Sequence, residues 1–278
     1  MLFGAHVSAA GGVDKAPERA QQEGCEVFQM FSRAPQSYKV PELTDETVKA
    51  FKENMKKFKQ EEAYIHTPYL INLASTNNRI RYSSITMIKQ ELERGSRLGV
   101  KYAMTHLGSY KDVDEVLEGP LMVLDALKKI LDDNYSTELL LEISAGAGSI
   151  VGDTFEELAY FIKELKGYKV GICLDTAHMF ASGYDLRTKE TVTKVFDDFD
   201  KTIGLKHLKL FHLNDSKVDI NEKKDRHENI GEGFIGIKGF EAMLSDKRLK
   251  DINFILETPG DRAEDFKVIK KIRKDLVK

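Results

Sequence analysis

Leu208-Lys209-Leu210-Phe211-His212-Leu213-Asn214-Asp215-Ser216 governs how the rest of the chain is read. A short apolar run reads as a buried strand. This one delivers His212, then turns into a polar loop that ends in Asp225-Arg226-His227. The pattern recurs at Phe3 to Val7, Val27 to Phe31, Ala63-Tyr64-Ile65, Lys101 to Thr105, Leu139-Leu140-Leu141, Val170 to Leu174 and Phe254-Ile255-Leu256, which brings the strand-like segments to eight.

Helical patterns fill most of the gaps. Ser8-Ala9-Ala10-Gly11-Gly12 turns into a helix near Asp14 to Glu23. Val48, Phe51, Met55 and Phe58 lie on one face of a helix over about Thr44 to Gln60. Ile85, Ile88 and Leu92 mark the next, and Leu117, Leu121, Leu124 and Leu131 the inner stripe of another, with Pro120 tolerable near its start. Thr154 and Glu157 have capping-box spacing, and a basic helix through Val268, Ile269 and Ile272 closes the chain. Continuous apolar strands alternating with helices indicate a parallel sheet covered by helices. Eight such units in about 250 residues predict a (β/α)8 TIM barrel. A doubly wound open sheet is the structural competitor, and no G-x-G-x-x-G follows the first strand to support a dinucleotide version. No linker or low-complexity segment interrupts the series, so residues 1–278 are expected to form one domain.

The bulk numbers narrow the function. Hydrophobic content of 41% with 31% charged residues describes a globular chain with ample core. No stretch approaches the roughly 18 apolar residues that span a membrane. The start, Met1-Leu2-Phe3-Gly4-Ala5-His6, lacks a basic region and a signal-type apolar run, so no export and a cytoplasmic location are expected. Cys25 and Cys173 lie far apart without C-x-x-C spacing, which fits a reducing compartment. A net charge of −3 argues against a generically basic nucleic-acid binder unless bound cations change the balance.

The residue that follows or ends each apolar run carries the chemistry. From the third strand onward these are His66, His106, Glu142, Asp175, His212 and Glu257, separated by 40, 36, 33, 37 and 45 residues, about one βα unit each. In a barrel such positions converge on the C-terminal face, where active sites of this architecture lie. Carboxylates and imidazoles buried together are costly, and bound cations reverse that cost. His178 stands three residues after Asp175, and Asp225 and His227 complete a set of nine candidate ligands. Nine exceed one tetrahedral ion and suit a cluster of two or three. The donors allow zinc or manganese, and five histidines favour zinc. His6, also at a strand end, is expected to support the cluster rather than ligate. His207 is read as structural, Cys173 as packing, and Lys267 to Lys278 as a solvated helix face.

Several of these stretches resemble the signatures of the endonuclease IV family of apurinic/apyrimidinic endonucleases. They are Gly4-Ala5-His6-Val7-Ser8-Ala9-Ala10-Gly11-Gly12, His66-Thr67-Pro68-Tyr69-Leu70-Ile71-Asn72-Leu73, Val170-Gly171-Ile172-Cys173-Leu174-Asp175-Thr176-Ala177-His178, His212-Leu213-Asn214-Asp215-Ser216, Asp225-Arg226-His227 and Gly231-Glu232-Gly233, in that order. The resemblance runs from Phe3 to about Gly260. It implies a monomeric DNA-repair enzyme on a β/α barrel with three Zn2+, Mn2+ being an alternative at one site. One zinc would sit on His66, His106 and Glu142, a second on Glu142, Asp175, His212 and Glu257, and a third on His178, Asp225 and His227.

The implied reaction is hydrolysis of the phosphodiester 5′ to an abasic site in duplex DNA, leaving a 3′-hydroxyl and a 5′-deoxyribose phosphate, together with 3′-repair diesterase activity. A hydroxide shared by the two ions that Glu142 joins would attack, with Glu257 orienting it, so Glu142 and Glu257 are the catalytic candidates. Tyr69 and Leu70 match the family's wedge. In the loop after the second strand, Gln36 and Tyr38 stand where the family commonly has Arg and Trp, with Arg33 nearby, and all three are candidate DNA contacts. The competing reading is a sugar isomerase or epimerase on a related barrel. It would use Glu142, Asp175, His212 and Glu257 with one divalent ion and leave the other five ligands without a task.

Overall fold

The computed structural model describes residues 1–110 and 118–276. Eight parallel strands close into a barrel: β1 (Phe3–His6), β2 (Val27–Phe31), β3 (Ala63–His66), β4 (Tyr102–Thr105), β5 (Glu138–Glu142), β6 (Val170–Asp175), β7 (Leu208–His212) and, beyond a hairpin of β8 (Asp215–Ser216) with β9 (His227–Glu228), β10 (Asn253–Leu256). The last strand returns to the first, pairing Phe3 with Phe254 and Ala5 with Leu256. Around them run α1 (Ala16–Gln22), α2 (Asp45–Lys57), α3 (Asn78–Leu98), α4 (Glu118–Leu131), α5 (Phe155–Glu164), α6 (Thr176–Ser182), α7 (Lys189–Thr202), α8 (Gly236–Ser245) and α9 (Ala263–Leu276). The expected barrel is therefore present.

A period of two along each strand builds two cores. Val27, Tyr64, Tyr102, Met104, Leu140, Cys173, Leu210 and Ile255 fill the barrel interior. Their neighbours, such as Phe28, Ile65, Leu139, Leu141, Leu174, Phe211 and Leu256, face outward and pack under the helices. Two residues further along the interior-facing rows come Gln29, His66, His106, Glu142, Asp175, His212 and Glu257. The alternation that buries the lower layer thus carries the polar residues inward at the upper end.

Capping residues start the helices close to where they were expected. Thr44 Oγ1 accepts from Thr47 N at 3.2 Å to open α2, and Asn77 accepts from Arg79 N to open α3. Gly99 ends α3 at φ 80°, a left-handed position that glycine occupies without strain. At α5, Thr154 accepts from Glu157 N at 3.2 Å, but the Glu157 carboxylate turns to Gly152 N at 2.6 Å. Only half of the anticipated box therefore forms. The stripe of α4 also differs from expectation. Val123, Leu124, Leu127 and Ile130 face inward, Leu121 is 56% exposed, and Leu117 lies outside the described residues. Among the described residues no helix is long and apolar enough to cross a membrane.

Candidate metal centre

Three groups of donor atoms meet at the C-terminal end of the barrel: His66 with His106 and Glu142; Glu142 with Asp175, His212 and Glu257; and Asp175 with His178 and His227, with ligand atoms in each group within 4.8 Å of one another. Glu142 joins the first two. Its Oε2 lies 3.2 Å from His66 Nε2 and 3.5 Å from His106 Nε2, while its Oε1 is 2.8 Å from His212 Nδ1. Glu257 Oε2 approaches His212 Nδ1 at 3.2 Å.

The third group depends on two local devices. Asp175 ends β6 and caps α6, its Oδ1 accepting from His178 N at 2.9 Å. That cap explains the three-residue spacing, because the first turn of α6 brings His178 back over the barrel mouth. The β8–β9 hairpin then carries Asp225 and His227 across α6, with Lys223 N donating to Ala181 O and Asn221 N to Phe180 O. Asp225 Oδ1 stands 3.3 Å from His178 Nε2 and 3.2 Å from His227 Nε2, and Asp175 Oδ2 lies 3.7 Å from the latter. Asp215 fixes the base of the hairpin. Its buried carboxylate accepts from the backbone amides of Ser216, Gly231, Gly233, Ile235 and Gly236 at 2.8–3.1 Å. A Cβ at Gly233 would meet Ser216 O and Asp215 Oδ1, so only glycine closes this turn.

Hydrogen bonds show which ring nitrogens are free. His66 Nδ1–H donates to Thr67 O at 2.7 Å, His178 Nδ1–H to Ile143 O at 3.0 Å and His227 Nδ1–H to Glu257 O at 3.4 Å. Each ring thus turns its Nε2 lone pair toward the cluster. The His178 and His227 Nε2 atoms face each other at 3.4 Å beside an Asp225 oxygen. Converging lone pairs repel unless a proton or a cation lies among them. Imidazole and carboxylate donors in three overlapping groups, without thiolate, suit divalent cations such as zinc or manganese, and the residues present fit that chemistry. Cys173 packs in the barrel interior beside His212, and burial pushes its thiol up to about 12.

The electrostatics follow from this crowding. Burial opposes charge on Glu142, but the imidazoles of His106, His212 and His66 hold its carboxyl well below the usual range. Glu257 is lowered in the same way by His212, His6 and His66. Burial also works against charge on His178 and His227, yet Asp175 and Asp225 raise them to about 10 and about 9.

The other singled-out residues divide. Tyr69 is 63% exposed beside the cluster, its ring edge-on to Phe31 at 5.1 Å, and Leu70 packs partly buried behind it. Gln36 and Tyr38 are exposed on the β2–α2 loop. Arg33 lies at the start of the same loop and lines the adjoining cleft. It is buried, with Nε 2.5 Å from Glu91 Oε1 on α3, while its Nη1 is buried without a hydrogen-bond partner. A cleft of about 960 Å³ opens beside the centre between the loops after β1 and β2, lined by residues that include His6, Phe31, Pro35 and Arg262. Sequence reasoning missed Gln29, which is wholly buried against His6, His212 and Glu257. Its only signal was an amide inside an otherwise apolar strand.

Residues 17–276 match the family model described as xylose isomerase-like TIM barrel. A protein of Halothermothrix orenii described as a probable endonuclease 4 is 39% identical over 99% of this chain and 100% of its own length. The crystal structure of endonuclease IV from Thermus thermophilus superposes with a TM-score of 0.89 at 32% identity, covering 99% of this chain and 100% of that one. A D-tagatose 3-epimerase-like protein reaches a TM-score of 0.77 at 21% identity over 100% of this chain and 98% of its own, a likeness of fold alone. On the strength of full-length identity to its relatives and of the matched barrel, the chain belongs to the endonuclease IV family within the xylose isomerase-like TIM barrels.

Proposed function

We propose that this protein is a zinc-dependent DNA-repair endonuclease that hydrolyses the phosphodiester 5′ to abasic sites in duplex DNA, leaving a 3′-hydroxyl and a 5′-deoxyribose phosphate, with the related activity on blocked 3′ ends. The observation that carries the reading is the donor set beyond the four residues around His212. His66, His106, His178, Asp225 and His227 extend that set into three overlapping groups. A sugar isomerase or epimerase using one divalent ion has no task for them.

His66, His106 and Glu142 would hold one zinc, Glu142, Asp175, His212 and Glu257 a second, and His178, Asp225 and His227 a third, with manganese an alternative at one site. When bound, such ions supply Lewis acidity at the phosphate and make water acidic enough to react near neutral pH. The protein's own groups do the rest. Glu142 presents one oxygen to each of two groups and so sets their spacing. Glu257 remains partly open to solvent and keeps Oε2 toward the centre, where it would orient the attacking group. Asp225, the most exposed of the nine, and His227 stand at the rim where the phosphate arrives. No protein nucleophile is needed. An abasic nucleotide has no base to unstack, so extruding it costs less than extruding a normal one. The exposed Tyr69 ring, with Leu70 behind it, is suited to fill the gap left in the duplex. Gln36 and Tyr38 extend the same rim.

The test combines elemental analysis with nicking of an abasic duplex, with and without chelator. About three zinc per chain and chelator-sensitive nicking are expected, whereas about one zinc and no nicking would favour the sugar-handling alternative. Glu142→Gln should fold yet lose metal and at least ~100-fold in rate, in line with removal of a group that stabilises transition-state charge. Cleavage by that variant at the wild-type rate would remove the bridging role.

A further inference from the structure

We propose that Gln29 is a positioning residue that decides which ring nitrogen of His212 faces the donor set. The inference rests on the reading of the cluster as a metal centre. His66, His178 and His227 each give Nδ1–H to a backbone carbonyl and turn Nε2 inward. His212 is reversed. Its Nδ1 faces Glu142 Oε1 at 2.8 Å, Glu257 Oε2 at 3.2 Å and Asp175 Oδ2 at 3.9 Å. Its Nε2 lies 2.8 Å from Gln29 Oε1, an atom that can only accept. Gln29 Oε1 thus holds a proton on Nε2, which leaves Nδ1 as the nitrogen turned to the donor set and the one that would give its lone pair to a bound cation.

The amide is held in that orientation from its other end. Gln29 Nε2 donates to Glu257 Oε1 at 2.6 Å and lies 2.9 Å from His6 Nδ1. Turning the amide over would set its oxygen against the Glu257 carboxylate and its N–H against the His212 N–H, so one arrangement satisfies both neighbours. A neutral amide suits the place, since a further buried carboxylate beside Glu257 would carry a desolvation cost and a like-charge repulsion. Without an acceptor at position 29, the favoured partner for the His212 proton is Glu142 Oε1, and the bond between them would occupy the nitrogen the centre needs. Outer groups that orient histidine ligands in this way typically contribute 10–100-fold to metal affinity.

The experiment uses zinc-loaded, ¹⁵N-histidine-labelled protein, with ring signals assigned against a His212→Gln sample, together with chelator competition for zinc. In the wild type, His212 should carry its proton on Nε2. Gln29→Met should bind zinc about 10–100-fold more weakly at one class of site and lose the Nε2–H signal. Gln29→Glu keeps an acceptor toward His212 and should retain that signal even where the added charge weakens binding. A wild-type proton on Nδ1 overturns the proposal, as does a Gln29→Met protein with unchanged affinity and ring signal. If Gln29→Met does not fold, the wild-type and Gln29→Glu spectra still decide. Loaded wild type with the Nε2 proton but no nicking of abasic duplex would remove the nuclease reading and leave the role of Gln29 standing.

Discussion

His178 and His227 behave differently with and without metal. In the metal-free chain their raised values, about 10 and about 9 against an ordinary 6.5, leave both rings protonated at neutral pH where a cation would otherwise lie. Groups with raised values contribute stability that is fully present below about 6.5 and is lost as pH climbs through about 9 and 10. Asp225, held below the usual carboxylate range, contributes in the opposite window, above its ordinary 3.8, and loses that contribution on acidification. Chelator-stripped protein should therefore melt at progressively lower temperature from pH 7 to pH 10, while zinc-loaded protein, whose ring protons are already displaced, should change little. Parallel losses in the two forms would contradict this. Loading zinc at pH 7 should also release protons, measurable by calorimetry in buffers of different ionisation enthalpy. The six strand-end donors were legible because an apolar run stops at each. Gln29 was not, because it lies within Val27-Phe28-Gln29-Met30-Phe31 and its partners are 23, 183 and 228 residues away.

Helix α3 anchors the loop after β2 through buried charges. Glu91 is fully buried on α3 and accepts from both Arg33 Nε and Ser32 Oγ at 2.5 Å, while Arg94 donates to Ser32 Oγ, Ser32 O and Pro41 O. Breaking a buried pair from one side strands the other charge, at a cost of about 3–5 kcal/mol. Glu91→Gln should lose much of that amount in urea unfolding and loosen the loop that bears Gln36 and Tyr38. An unchanged midpoint would mean that solvent reaches Arg33 readily. The burial of Arg33 was not legible because its partner is 58 residues distant on another element, a pairing that local patterning cannot reveal. Helix α6 escaped notice for a different reason. At seven residues it offers too few turns for a periodic signal, and only the Asp175 cap marks its start. The polar stretch after His212 likewise reads as loop until the pairing of Ser216 with His227 closes a hairpin.

At the scale of the molecule the barrel was the most legible feature, since strand-end donors spaced by about one βα unit admit few other arrangements. The charge balance was legible only in part. A chain of net −3 carries no general attraction for phosphate, and three zinc ions would add roughly +6 on one face. Affinity for an abasic duplex should accordingly fall with salt, by at least ~10-fold between about 50 and 200 mM, and chelation should weaken it at every salt concentration. Binding that ignores both would locate the attraction elsewhere. The seam between β1 and β10 bears on biosynthesis. It pairs Phe3 with Phe254, residues at opposite ends of the barrel's sequence, and the next turn of chain brings Glu257. Long-range closure of this kind is slow and cannot begin until the last strand has left the ribosome. A nascent chain therefore carries His66, His106 and Glu142, a complete first group, well before Glu257 exists. The order of synthesis thus completes the residues of the first group ahead of barrel closure, whereas the second group must wait for the final strand.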